Sequence, residues 1–404
     1  MVIQTTPTPT KTPPKARTPS RWMGVGQATD DAPKQAGRTA AKDALMGRTP
    51  ELVIVFCSER YDLPALLAGV RSQTGDAQLI GCSTAGEIAT AGASEAGVVV
   101  LALGGEGFAI KTAVATGASS DLRGAGATAA SCMAAIADRP YRILLLLTDG
   151  LAGDQQEVVR GAYSVAGASV PLVGGCAGDD LKMHATHQLY GDAVLNDAVI
   201  GAAIGSDSPL GIGVRHGWRR VGEPLLVTRS ANNRVYELDD RPALDAYLDR
   251  LSAPAEARRT PEAFTQFAQT HPLGLNRRSG EEQVRFVAGA DFADRSIGCI
   301  AEVPQGGLAW LMEGDAESVL AATDAACADA LAALGGHPPL GLVAFDCIAR
   351  KGVLGDLGVA DEVARVARHA DGAPVAGFYT YGEIARTQGV SGFHNQTLVV
   401  LAVS

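Results

Sequence analysis

A chain of 404 residues, 47% apolar and 19% charged, has room for two or three domains at roughly 150 residues each and can bury large cores. Its net charge of −10 excludes a general nucleic-acid surface, because neutralising phosphate takes clustered Lys and Arg. No apolar run approaches the roughly 20 residues of a membrane span, and no secretory core opens the sequence, so no membrane span is expected.

Residues 1–22 are rich in Pro, Thr, Lys and Arg and should be disordered, with more ordinary sequence opening at Met23. Three later segments repeat one plan: apolar strand, polar loop, amphipathic helix, apolar strand, glycine turn, acidic residue. In the first, the strand Leu52–Phe56 leads to a helix that Asp62 can cap, with Leu63, Leu66, Leu67 and Val70 on one face. Leu79-Ile80 and the turn Gly81-Cys82-Ser83-Thr84-Ala85-Gly86-Glu87-Ile88 close it. Val98–Leu103 reads as a further strand. In the second, Ile143–Leu147 precedes Asp154 and Glu157, which have capping-box spacing. Val159, Ala162, Tyr163 and Ala166 repeat the stripe, and Leu172-Val173 runs into Gly174-Gly175-Cys176-Ala177-Gly178-Asp179. Ala198–Ile204 follows as a strand.

The charged stretch from Leu238 to Glu262 reads as a connecting helix and linker, which places a domain boundary there. Beyond it Val284–Val287, Ile297–Val303 and Leu308–Met312 read as strands, and Asp315 to Leu334 as a long helix stopped by Gly335-Gly336. The third repeat runs from Leu342–Phe345 through Val363, Val366, Ala367 and Ala370 to Val375-Ala376. It ends in Gly377-Phe378-Tyr379-Thr380-Tyr381-Gly382-Glu383-Ile384, with Leu398–Val403 as the last strand. Strands apolar throughout are buried on both faces, and helical crossovers between them imply right-handed βαβ units. The expected fold is α/β: two domains of mixed sheets built from repeated βαβ units with flanking helices, over 23–245 and 246–404.

Thr84 with Glu87, and Thr380 with Glu383, have the spacing of a capping box, so these turns can tie themselves off. They also stand at the carboxyl ends of buried strands, where open α/β sheets bind ligands. Gly174, Gly175 and Gly178 lack the Lys-Ser/Thr ending of a phosphate loop, and Asp179 and Asp180 would repel phosphate. Seven scattered cysteines, with no C-x-x-C, are neither a disulfide framework nor a zinc site, and a reducing cytoplasmic setting is expected. Cys82, Cys176 and Cys347 sit near equivalent strand ends, either as small buried residues or as the nucleophile of a cysteine-dependent enzyme. His184, His187, His216 and His394 are surface or hydrogen-bonded residues, or axial ligands of a non-covalent haem. Trp218-Arg219-Arg220 and Arg277-Arg278 are solvated faces or anion contacts.

The turn from Gly81 to Ile88, with Phe56-Cys57-Ser58 and Tyr61-Asp62 upstream, resembles the signature of the N-terminal domain of the FIST sensory family. The turn from Gly377 to Ile384, with Phe393-His394-Asn395-Gln396-Thr397, Cys347 and Arg350, resembles its C-terminal domain. His216-Gly217-Trp218 and the run from Val227 to Asp240 resemble the junction. The likeness spans roughly residues 24–404; the N-terminal tail departs from it, as does Arg220 where the family has proline.

The resemblance implies a bacterial signal-transduction input module rather than an enzyme. Its small ligand would be an amino acid or similar metabolite; in some members haem takes that place and senses nitric oxide. A partner would act in trans: a histidine kinase, a cyclic-di-GMP enzyme or a chemoreceptor. The expected ligand cleft gathers Cys82, Thr84, Glu87, Cys176, Asp179, Cys347, Arg350, Tyr379, Tyr381 and Glu383. If haem binds, His216 is the expected ligand, with His184 and His394 as alternatives.

Overall fold

The computed structural model describes residues 20–275, 283–387 and 392–404. Arg277-Arg278 and most of the expected tail lie outside these residues. All three repeats fold as βαβ units on one enlarged plan. The first unit comprises β1 (Trp22–Ala28), α1 (Pro33–Leu45), β2 (Leu52–Ser58), α2 (Leu63–Thr74) and β3 (Gln78–Thr84). A hairpin of β4 (Glu87–Ala89) and β5 (Gly92–Ser94) follows, then β6 (Val98–Gly104). The second has β7 (Phe108–Thr116), α3 (Leu122–Ala130), β8 (Tyr141–Thr148), α4 (Gln155–Ala166) and β9 (Leu172–Cys176). Its hairpin is β10 (Gln188–Tyr190) with β11 (Ala193–Leu195), and β12 (Ala198–Ser206) closes it.

The third unit opens with β13 (Leu210–Arg215) and is interrupted by an insert. The insert holds β14 (Arg219–Ala231), β15 (Arg234–Leu238), β16 (Arg241–Pro242), α5 (Ala243–Arg250) and α6 (Pro261–Ala268). It continues with β17 (Leu273–Leu275), β18 (Gln283–Arg285), β19 (Val287–Asp291), β20 (Ser296–Cys299) and β21 (Leu308–Glu313). The unit resumes with α7 (Ala316–Ala332), β22 (Gly341–Cys347), α8 (Ile348–His369) and β23 (Val375–Thr380). The hairpin of β24 (Glu383–Arg386) and β25 (Phe393–His394) and the strand β26 (Leu398–Val403) complete it.

Local chemistry sets the helix starts. Asp62 caps α2 by accepting from the Ala65 amide at 3.0 Å, and Asp154 caps α4 by accepting from Gln156. Asp315 and Ser318 form a full capping box at α7. Glu157 does not reach back to Asp154 as its spacing predicts; Arg123 and Arg160 hold its carboxylate.

Each unit carries one parallel pair, β2 with β3, β8 with β9, and β22 with β23. Antiparallel strands extend each pair on both sides. The sheet orders are β1-β6-β2-β3-β10-β11, β7-β12-β8-β9-β24-β25 and β13-β26-β22-β23-β4-β5. The outer two strands of every sheet are thus a hairpin donated by a different unit. The first unit's hairpin joins the third, the third's joins the second, and the second's joins the first.

Three sheets face inward on one shared core that draws on all of them, including Phe56, Phe345 and Phe378. The rings of Phe56 and Phe378 lie 4.7 Å apart. Helix pairs cover the outer faces: α1 and α2, α3 and α4, α7 and α8. This two-sided burial is why the strands read as apolar throughout.

Two expectations need correction. Leu238 to Glu262 holds the expected helix, α5, but the stretch is not a free linker. Leu244, Tyr247 and Leu248 form the buried stripe of α5 inside the insert's own core. Nor does order begin at Met23: Trp22 is buried in β1, and the Arg21 guanidinium donates to Ser206 Oγ at 2.9 Å.

The glycine that opens each turn motif has a steric cause. A Cβ on Gly81, Gly174 or Gly377 would stand 2.3, 1.9 or 2.1 Å from a carbonyl oxygen of the parallel partner strand, that of Val55, Leu146 or Ala344. Gly377→Ala should therefore cost at least ~1–3 kcal/mol. A denaturant midpoint equal to that of the native chain would refute the close approach.

Candidate functional site

The carboxyl ends of β3, β9 and β23 converge and bond to one another in a ring. Ala85 N–H donates to Tyr379 O (3.0 Å) and Tyr379 N–H to Gly86 O (2.8 Å). Tyr381 N–H donates to Cys176 O (3.3 Å) and Cys176 N–H to Gly382 O (2.9 Å). Gly178 N–H and the Ser83 hydroxyl close the ring between β9 and β3. The three turns predicted to share a cleft do meet, but as a backbone hub with little open space.

Most of the predicted ligand residues hold this hub together. Glu87 is buried; its Oε1 accepts from the Thr84 hydroxyl at 2.6 Å, and its Oε2 from Ser94 and the Gly97 amide. Glu383 repeats the pattern with Thr380 and the Thr397 amide. These carboxylates are spent on internal bonds, not aimed at a cavity. In the second unit the same place belongs to Gln188, which heads β10, takes the Ala198 amide on its Oε1 and reaches Thr186. Sequence reasoning missed Gln188 because the loop 179–186 displaces it from the glycine turn.

Cys82 and Cys176 are buried, and burial pushes the Cys176 thiol up to about 12 and that of Cys82 well above its ordinary value. Tyr379 is buried with its ring under the Lys351 ammonium. Arg350 is a clamp. Its Nε meets Asp346 Oδ1 at 2.7 Å, its Nη2 meets Glu362 Oε1 at 2.5 Å, and its Nη1 donates to His216 O. Burial, and then Glu362, push the Asp346 carboxyl well above its ordinary value. None of Cys82, Cys176, Tyr379 or Arg350 reaches the cleft described next.

A second region of the molecule, where the insert meets the second and third units, does hold open space. A cleft of two adjoining lobes, about 590 and 290 Å³, shares Gly150, Met183, Ile300 and Tyr381 between them. The larger lobe carries the charged side chains, with Asp154, Gln155, Arg160 and Glu302; the smaller is more apolar, with Phe286, Ile300, Ile348, Cys347 and Asn395. Tyr381 and Cys347 are the two predicted residues that line it. Asp179 shapes it from behind, by accepting the amides of Met183, His184 and Ala185 and the Tyr381 hydroxyl. Burial alone would raise this carboxyl, but those bonds hold it below its ordinary value.

The loop so held has left-handed backbone at Asp180, Leu181 and Met183, an unusual conformation for side-chain-bearing residues. It leaves Leu181 62% and Met183 58% exposed at the cleft, facing the insert's Ile300 at 43%. At the other extreme, Asn395 is 1% exposed and lines the small lobe, yet its Oδ1 has no hydrogen-bond partner. Sequence reasoning missed these residues because three distant segments supply them.

The residues do not fit haem at this cleft, since no histidine lines either lobe. His216 lies elsewhere, taking the Trp218 amide on Nδ1; burial and then His394 push it down to about 4. His394 is buried with Nε2 2.9 Å from Ala385 O, and His184 is exposed. Among the described residues no cluster of His, Cys, Asp or Glu could hold a metal ion. Nor does the cleft activate a thiol: burial, and then Glu383, push Cys347 well above its ordinary value, the reverse of what a thiolate nucleophile needs.

The FIST N domain model matches residues 51–241, and the FIST C domain model matches residues 243–386. The chain belongs to the FIST family. FIST domains are signal-transduction sensory domains that bind small ligands. An uncharacterised protein of Mycobacterium tuberculosis H37Rv is 27% identical over 390 residues, covering 93% of this chain and 97% of that one. An uncharacterised protein of Methanocaldococcus jannaschii is 31% identical over 84 residues, and the match spans only 16% of its length. Among the described residues no helix is long and apolar enough to cross a membrane.

Burial raises Glu87 from 4.5 to about 7 and Glu383 to about 8. A folded value above the unfolded one means that the folded chain keeps protons the unfolded chain releases. The associated stability is complete below about pH 4.5 and is lost as pH rises to about 8. Glu383→Gln should keep the fold, as Gln188 does, and flatten the upper part of that decline. Urea midpoints measured across this range in both proteins decide it, and equal slopes would exclude Glu383. Separately, Arg350→Met should cost ~3–5 kcal/mol in chemical denaturation, because two buried carboxyls lose their common cation.

Proposed function

We propose that this FIST protein is a cytoplasmic sensor that takes an amino acid or similar metabolite in the two-lobed cleft and signals through a protein bound in trans. The carrying observation is convergence. Three exposed apolar side chains, Leu181, Met183 and Ile300, and one buried amide lacking a partner, Asn395, share a single cavity. Soluble proteins leave such groups uncovered where something else covers them. The polar lobe holds charges of both signs, Arg160 beside Glu157 and Glu302, which suits a zwitterion.

The cleft also has a means of output. Its far wall is the insert, which joins the body through β13 to β14 and β21 to α7. Gly217, in the left-handed region at φ 86°, and Gly314, packed on the Trp218 ring, stand at these crossings. A ligand touching both walls favours whichever setting of the insert it fits better, and a partner such as a histidine kinase, a cyclic-di-GMP enzyme or a chemoreceptor reads that setting. Burial of the thiols near the hub and the sensory character of FIST domains both weigh against the cysteine-dependent enzyme.

Melting curves with a panel of amino acids and related metabolites test this. A true ligand raises the melting temperature by mass action. Ile300→Arg, a change at an exposed wall position, should weaken that ligand at least about tenfold. Undiminished binding to the variant would move the site elsewhere.

A further inference from the structure

Resting on the reading of a sensor that acts through a protein in trans, we propose that a groove between β5 and α8 receives an extended segment of that partner, with an arginine side chain set against the backbone carbonyl of Ala93. The groove holds about 510 Å³ and is lined by the donated hairpin, including Gly92, Ala93 and Ser94, and by Val359, Ala360 and Ala364 of α8.

The second unit shows what such a groove takes. Its counterpart lies between β25 and α4, because β24 and β25 join that sheet as β4 and β5 join the third unit's. Ala385 N–H donates to Gly392 O, so the next residue, Phe393, turns its own N–H and C=O off the free edge. Gln156 Oε1 of α4 takes that N–H at 3.4 Å. The insert's strand β18 caps the carbonyl, with Arg285 Nη1 at 3.4 Å and Gln283 Nε2 at 3.5 Å. Arg160 of α4 meanwhile pairs with the insert's Glu302. An extended segment thus presents a guanidinium to an edge carbonyl.

At β5 the edge is built alike but is not covered. Tyr379 N–H donates to Gly86 O, and alternation along the ladder turns Ile88 toward Gly377 and Ala93 outward. Among the described residues nothing bonds the outward groups of Ala93. In the register of the apolar stripes, which matches Val159 to Val363, Ala360 stands for Gln156 and Ala364 for Arg160, and both alanines are exposed. The two side chains that close the second unit's groove are therefore cut back here. Charge selects the occupant. Asp356 is exposed and has no ion-pair partner among the described residues. The Glu95 side chain is 73% exposed, and its contact with Lys351 is 3.5 Å long. Two loosely held carboxylates at the rim favour a cationic side chain over an anionic one.

A fluorescein-labelled peptide copying residues 283–287 serves as the probe, with a second peptide carrying glutamate in place of its arginine. Titration of the full chain, followed by fluorescence anisotropy, should show saturable binding of the arginine peptide and at least about fivefold weaker binding of the glutamate peptide. Ala364→Arg restores the side chain that the second unit carries, and should weaken the arginine peptide at least about tenfold. Asp356→Lys should narrow or reverse the preference between the two peptides. No saturable binding to the native chain, or undiminished binding to Ala364→Arg at an unchanged melting temperature, would overturn the proposal. So would a dimer in sedimentation that Ala364→Arg dissociates, since the groove would then belong to a second copy. The comparison of peptides on the native chain needs no variant to fold. No metabolite is present in these titrations, so their failure and that of the ligand cleft are read separately.

Discussion

Every sheet in the body ends on a hairpin that belongs to another unit, and this exchange is the constraint on which the rest depends. A parallel pair such as β2 and β3 would otherwise expose the open edge of β3, with a row of unpaired N–H and C=O groups. The second unit's β10 covers that edge, and the same happens at β9 and β23. To make the exchange, the chain must leave each sheet immediately after its second parallel strand. That requirement explains the turn motif. The glycine lets the strand approach its neighbour, the threonine ends it, and the glutamate anchors the start of the departing hairpin.

Anchoring also explains why acids sit at the centre of so apolar a body. Glu87 and Glu383 each tie a departing hairpin to the amide that precedes the unit's last strand, Gly97 in one case and Thr397 in the other. A carboxyl oxygen accepts from such an amide, while burial away from water favours the protonated acid. Gln188 performs the same task without a titratable group. The chemistry required is therefore an acceptor of that length, and the acid is one solution among two that the same molecule uses.

Much of this was visible in the amino-acid order. The strands at Leu52, Ile143 and Leu342 are apolar on both faces, so their burial between helices and a central core could be read directly. The agreement of the first and third turns pointed to an internal repeat. What the order could not reveal was where each hairpin goes, because β4 pairs with a strand that follows only after two further units have begun, Ala89 with Ala376. A helix was legible between Leu238 and Glu262, but not its place in a core, because the acidic face of α5 masks the stripe of Leu244, Tyr247 and Leu248. The site was legible only at Tyr381 and Cys347, which belong to the repeat. Met183, Ile300 and Asn395 come from a loop, the insert and the last hairpin, and only folding brings them together.

The exchange has a further consequence for how the protein is made. Ala89 in the first unit pairs with Ala376 in the third. At the usual ~5–20 residues per second, the ribosome needs some tens of seconds to pass from one to the other. Throughout that interval the early hairpin has no sheet to join, and the edge of β23 does not yet exist. The nascent chain must therefore wait with part of its first unit unfinished. Its closing step joins the chain's beginning to its end, so cooperative stability arrives only once synthesis is almost complete.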